Sequence, residues 1–324
     1  MSGVLPWSVA LAGRLDEHVI DSVVLRDNPL GDPARRPLWV YVPPGYDGSR
    51  QRYPSVYVIQ GYTGHLAMWR NRSPYRQPFP ETADAVFAAG DVPPALVVFV
   101  DAWTAYGGSQ FVDSPGTGRY HSYLCEEVVP FVDSRYRTLA ERAHRAISGK
   151  SSGGFGAMIT PMLRPDLFGA LASHAGDTLY ELCYLAEFGK AVRHLRDYDG
   201  DIRAWWSDFR SRTAFTKPAD ESLLLMLGVS ACFSARENGT PQLPFDPRTG
   251  VLISVALRPT DKPGHRSAPG REVDLSDPCG SVEGLVRNSC DEDRGGPVRR
   301  RRSWSSTSRR GPGRLGRPPS TARR

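Results

Sequence analysis

Residues 146–158 read AISGKSSGGFGAM, and Gly149-Lys150-Ser151-Ser152-Gly153 within them matches G-x-S-x-G. A serine hydroxyl is a weak nucleophile until its surroundings activate it. In this spacing a sharp strand-to-helix turn lifts the hydroxyl above a sheet, and small residues around the serine let strand and helix approach closely. Gly149, Gly153, Gly154 and Gly156 meet that demand. The helix that starts here turns its positive dipole end toward Ser151, which favours negative charge developing there. The chemistry expected is acyl transfer through a covalent serine intermediate. A phosphate-binding loop is the competing reading of a Gly- and Ser-rich turn. It requires G-x-x-x-x-G-K-[ST], and Lys150 precedes the serine in the wrong register.

A second run, VYVIQGYTGHLAMW (56–69), reads as a strand that ends at Gln60 and breaks at Gly61. Backbone N–H groups beyond such a break can face the serine. An oxyanion hole of this kind takes one N–H from the residue after the nucleophile and one from this earlier loop. The residues expected to supply them are Ser152 and Tyr62. Tyr57, Trp69, Trp103, Tyr106 and Phe155 fall near the same face as candidates to line an acyl pocket, with core packing the commoner role for each.

The elements that must hold these residues follow from the hydropathy pattern. Strand-like apolar runs at 38–42, 55–60, 96–101, 143–148 and 169–174 alternate with helix-like stretches at 81–89, 121–136, 153–163 and 201–211. This alternation predicts a mostly parallel central sheet with helices on both faces. A looser run at 15–25 predicts an antiparallel strand at the start of the sheet.

The chain is 324 residues long, 40% hydrophobic, with 12 Phe, 13 Tyr and 7 Trp, which suits a globular protein. No apolar stretch approaches the ~18 residues a membrane span needs. The N-terminal MSGVLPWSVALAGRL lacks a basic region ahead of its apolar run, and the location expected from this is cytoplasmic. Five scattered cysteines show no CxxC pair or metal-ligand spacing, as expected of reduced thiols.

The composition changes near residue 252. Residues 1–252 carry 25 basic and 27 acidic side chains, whereas residues 253–324 carry 16 and 8. Beyond 252 Trp304 is the only aromatic residue, and Arg, Pro, Gly and Ser dominate. Such a segment buries too little apolar surface to offset its ordering entropy. Two units are therefore expected, a catalytic domain at 1–252 and a basic disordered tail at 253–324. Two origins fit the tail. One is a change of reading frame near codon 250 of a G- and C-rich gene; the other is a native basic segment for anionic partners. The frame change is the favoured reading, and nucleic acid is not an expected partner.

Four blocks stand in a familiar order: RPLWVYVPPGYDG (36–48), YPSVYVIQGYTG (53–64), SPGTGRYHSYLCEEVVPFVDSRYRT (114–138) and the elbow run. Together they resemble the "Putative esterase" family of α/β-hydrolases, in the company of S-formylglutathione hydrolases, enterochelin esterases, feruloyl and acetylxylan esterases and the antigen 85 mycolyltransferases. The likeness covers roughly residues 14–252. It implies an α/β-hydrolase fold and hydrolysis or transfer of the acyl group of a small-molecule ester or thioester. It makes Ser151 the nucleophile and the Tyr62 and Ser152 amides the oxyanion donors, with no metal or organic cofactor.

In α/β-hydrolases the chain order is Ser, then Asp or Glu, then His. By the resemblance, both partners are expected downstream of PFDPRTGVL (244–252), where the likeness stops. The C-terminal part of the fold is thus expected to be missing. Of the histidines after the elbow, His174 comes too early in the chain, His194 lies in a charged helical stretch, and His265 lacks a preceding strand-and-acid unit. Asp177, Asp199 and Asp261 are the nearest acids, none at a strand end. The chain as written is therefore expected to turn over slowly or not at all.

Overall fold

The computed structural model describes residues 7–178 and 180–253. The basic segment and its two candidate residues, Asp261 and His265, lie outside them.

Eight strands are present among the described residues: β1 (Arg14–Asp21), β2 (Arg35–Val42), β3 (Ser55–Ile59), β4 (Leu96–Val100), β5 (Asp113–Ser114), β6 (Gly118–Arg119), β7 (Arg145–Lys150) and β8 (Ala170–His174). β5 and β6 form a small separate hairpin. The other six form one sheet in the order β1-β2-β4-β3-β7-β8. β1 and β2 are antiparallel to their neighbours, and the pairs β4–β3, β3–β7 and β7–β8 are parallel. Each strand of the main sheet overlaps a segment read from the sequence.

Two-residue alternation explains why both faces of the sheet are buried. Leu38, Val40 and Val42 of β2 point to one core with Tyr57, Ile59, Val98 and Phe168. Trp39 and Tyr41 point to the other, with Val58, Val97 and Phe99. The second face is covered by α1 (Phe79–Ala89), which begins with prolines and ends on Gly90 at φ 79°, a left-handed stop that glycine adopts without strain.

The first face is covered by a continuous helical stretch, expected at 121–136. It comprises α2 (Tyr120–Ser122), a π-turn (Tyr123–Val128) and α3 (Val129–Arg135). Pro130 explains the widened turn. It has no N–H to donate and its ring crowds the carbonyl four residues back.

The Ser151 turn leads into α4 (Ser152–Leu163). Three further helices, α5 (Tyr180–Leu195), α6 (Ile202–Ser211) and α7 (Asp220–Phe233), build their own core around Trp205, Leu223, Leu227 and Phe245. Of these α6 is anticipated by its sequence pattern, and α5 in part, by the charged helical stretch that holds His194. α7 (DESLLLMLGVSACF) is buried along nearly its whole length, so it carries no polar face for a periodicity to reveal. Asp220, fully buried, anchors this helical layer. Its carboxylate accepts from Arg212 (2.6 and 2.7 Å), from the Trp205 indole (3.3 Å) and from the Thr216 and Lys217 amides (3.0 Å each).

β8 is the last strand of the sheet. Along it Ala170, Leu171, Ala172 and His174 are all exposed, and no described strand pairs with its outer edge. The described sheet ends one strand past β7, the strand that leads to Ser151.

Candidate active site

Ser151 stands between β7 and α4 with φ 56° and ψ −124°. A residue with a Cβ reaches that region only against steric resistance, and such outliers concentrate where function requires them. Two contacts hold the turn: the Ser151 amide donates to the His174 carbonyl (2.9 Å), and the Phe155 amide donates back to the Ser151 carbonyl (2.9 Å). The flanking glycines are required by space. A Cβ on Gly149 would lie 2.2 Å from the Gly153 carbonyl oxygen, and one on Gly153 would lie 2.5 Å from that of Ile59.

The loop after β3 abuts this turn. A Cβ on Gly61 would meet the Lys150 carbonyl oxygen at 3.0 Å and the Ser151 Cβ at 3.4 Å. Among the described residues neither the Tyr62 amide nor the Ser152 amide donates a hydrogen bond. The Tyr62 side chain is tied down at its hydroxyl. Its hydroxyl lies 2.8 Å from the Tyr106 carbonyl and 2.7 Å from the Leu224 carbonyl, sharing one proton between them. The oxyanion-loop candidate is thereby joined to α7. Burial pushes the Tyr62 phenol well above its ordinary pKa, so it stays a neutral donor.

A cavity of about 450 Å³ opens over the turn, lined by Ser151, Ser152 and Tyr62 together with residues of α5 and the start of α7. The three residues singled out from the motif thus share one cavity. Cys183, Glu187, Lys190 and His194 of α5 also line it, at spacings that put them on one helix face.

The five aromatic candidates are not among its lining residues. Tyr57 is buried in the sheet core against Phe168, Trp69 packs on Phe79 and Phe99, Tyr106 on Trp206, and Phe155 on Phe233. Trp103 is 39% exposed. The aromatic rings at the cavity are instead Tyr62 and Tyr184, and Tyr184 had no motif to mark it. Its hydroxyl donates to Asp177 (2.9 Å), another lining residue.

No histidine or carboxylate among the described residues hydrogen-bonds the Ser151 hydroxyl. His174 contributes its carbonyl to the turn while its side chain is exposed. His194 lines the same cavity as Ser151 from the last turn of α5, with no hydrogen bond between them. Asp199 is exposed beyond the end of α5, in the left-handed conformation. No group of three His, Cys, Asp or Glu among the described residues could hold a metal ion. No helix among them is long and apolar enough to cross a membrane.

The sheet order, the parallel strands around β7 and the strained serine turn together define an α/β-hydrolase fold. Residues 33–219 match the family model described as "Putative esterase", and the chain belongs to that family. A curated relative, the endo-1,4-beta-xylanase/feruloyl esterase of Xylanibacter ruminicola, is 28% identical over 148 residues, covering 43% of this chain and 19% of that one. A solved ferulic acid esterase is similar at 23% identity, covering 52% of this chain and 61% of that one (TM-score 0.43). The S-formylglutathione hydrolase from Agrobacterium tumefaciens is similar at 20% identity over 54% and 62% (TM-score 0.42). In each case the likeness spans less than two thirds of the relative's length.

Proposed function

We propose that this protein is a serine hydrolase of carboxylic esters or thioesters that works through an acyl-Ser151 intermediate. The observation that carries the reading is the Ser151 turn, held in a left-handed strained conformation at the start of α4 beside an open cavity. In the first step the Ser151 Oγ attacks the acyl carbon, its proton passes to a base, and the carbonyl oxygen becomes an oxyanion. The Tyr62 and Ser152 amides, which donate to no other group among the described residues, receive that charge. Collapse of the adduct expels the alcohol or thiol, and water then releases the acid. Esterase family membership and the relatives named feruloyl esterase support an ester as substrate.

A second reading is favoured by one observation: no described histidine or acid side chain hydrogen-bonds the Ser151 hydroxyl. In that reading the chain keeps the nucleophile and the oxyanion site without the base, and is a pseudo-hydrolase. A fluorophosphonate probe separates the two. Covalent labelling that disappears in Ser151→Ala supports the enzyme, and a chain that stays unlabelled while folded sinks it.

A further inference from the structure

The loop at residues 107–111 touches both proposed oxyanion donors. On one side the Gly107 carbonyl accepts from the Thr63 amide (2.9 Å), and Gly107 at φ 98° packs so closely on the Tyr62 ring that a Cβ would lie 2.9 Å from it. On the other side the Gln110 Nε2 donates to the Ser152 Oγ (3.0 Å), both groups being buried. The next residue, Phe111, closes on Gly156 of α4, where a Cβ would come within 2.8 Å of the ring. Gln110 and Phe111 are consecutive non-glycine residues with φ of 55° and 56°. L-residues occupy that region only when the surrounding structure holds them there. Gln110 is 2% exposed, its Oε1 has no hydrogen-bond partner among the described residues, and the residue borders a cavity of about 10 Å³ shared with Gly61, Tyr62 and Ser152.

We propose that this loop is a brace that sets the spacing of the two oxyanion amides, and that Gln110 is its positioning residue. The amide and hydroxyl of Ser152 hang from one Cα. Gripping the hydroxyl fixes the residue's backbone and with it the direction of the N–H. The same loop holds 62–63 in place, so the two donors are referred to one rigid segment. Gln110 touches no reacting atom. Its effect runs through Ser152.

The inference rests on the proposed acyl-serine chemistry, and phosphonylation of Ser151 by a fluorophosphonate tests it, with the inactivation rate constant and the probe's apparent affinity measured separately. Gln110→Ala lowers the rate constant about tenfold, a fraction of the hundredfold or more that deleting an oxyanion donor costs, and leaves the affinity within about twofold. Gln110→Met, which fills the space but cannot hydrogen-bond, falls as far as alanine. Gln110→Glu, which can accept from the Ser152 hydroxyl, regains most of the rate. Ser152→Ala shows the same loss as Gln110→Ala, and the double variant is no slower than either single one. Thermal unfolding of each variant confirms that folded protein is compared. A wild-type rate in Gln110→Met, a loss confined to affinity, or additive losses in the double variant would overturn the brace alone. An unlabelled wild-type chain would overturn the acyl-serine reading and the brace with it.

Discussion

At the residue scale, Ser151 has the strained backbone of a nucleophile turn but no described base. Removing triad members lowers turnover by roughly 10⁴ to 10⁶. The chain as written should therefore label slowly, and added imidazole should speed labelling of Ser151 in a saturable way by standing in for the base. No imidazole effect together with fast labelling would mean that a base is already engaged. The glycines of the turn lend themselves to an equally direct test. Gly153→Ala puts a methyl 2.5 Å from the Ile59 carbonyl oxygen and 2.6 Å from that of Gln60, and both are backbone atoms that cannot swing aside. Overpacking of this kind costs about 1–3 kcal/mol or more, so the urea midpoint should fall measurably.

At the element scale, the helical layer of α5 to α7 forms much of the cavity wall, and Asp220 holds it. The hydrogen-bonded Arg212 guanidinium, with backbone amides helping, keeps the Asp220 carboxyl well below its ordinary range against the opposing effect of burial. A carboxyl depressed in the folded state adds stability above its unfolded pKa of about 3.9 and loses it as pH falls toward the folded value. Stability from this pair should be complete at neutral pH and fade below about pH 4. Asp220→Asn should lower Tm at pH 7 by several degrees and flatten the acid limb of a Tm–pH profile, because it breaks a buried pair. An unchanged profile would show that the layer does not depend on this pair. β8 poses a different question. Its exposed edge reads Ala-Leu-Ala-Ser, with no Lys or Pro within it to discourage pairing, and Leu171 is 49% exposed. Edges of that kind promote association. Leu171→Lys should raise the concentration at which light scattering detects oligomers, and no change would acquit the edge.

At the scale of the whole molecule, the basic segment at 253–324 either belongs to the protein's function or is foreign to it. A polyanion-binding tail would give heparin affinity that falls steeply with salt and vanishes in a chain ending at residue 252. Binding that survives the truncation would move the site onto residues 1–252. Sequencing the gene and translating every forward frame beyond codon 250 tests the frame change. A frame with a strand ending in Asp and a later loop His would restore the expected catalytic pair, and its absence would leave the tail genuine.

Much of this protein is legible without coordinates, for local reasons. The strands of the sheet announce themselves as short apolar runs because burial on both faces demands them. The Ser151 turn is readable because G-x-S-x-G is a local pattern, in which Gly149 makes room for Gly153 four positions on, although the demand on Gly153 itself comes from Ile59 and Gln60 across the sheet. What only the tertiary structure decided depends on long-range contact. α7 is buried nearly throughout and so hides its own period. Tyr184 reaches the cavity only because a helical layer folds back over Ser151. Gln110 lies in a loop with no periodicity at all, and its grip on Ser152, 42 residues away, comes into being only when β4 and β7 flank β3 in one sheet. Local sterics write themselves into neighbouring residues, whereas a contact between distant segments is written only in the packing that brings them together.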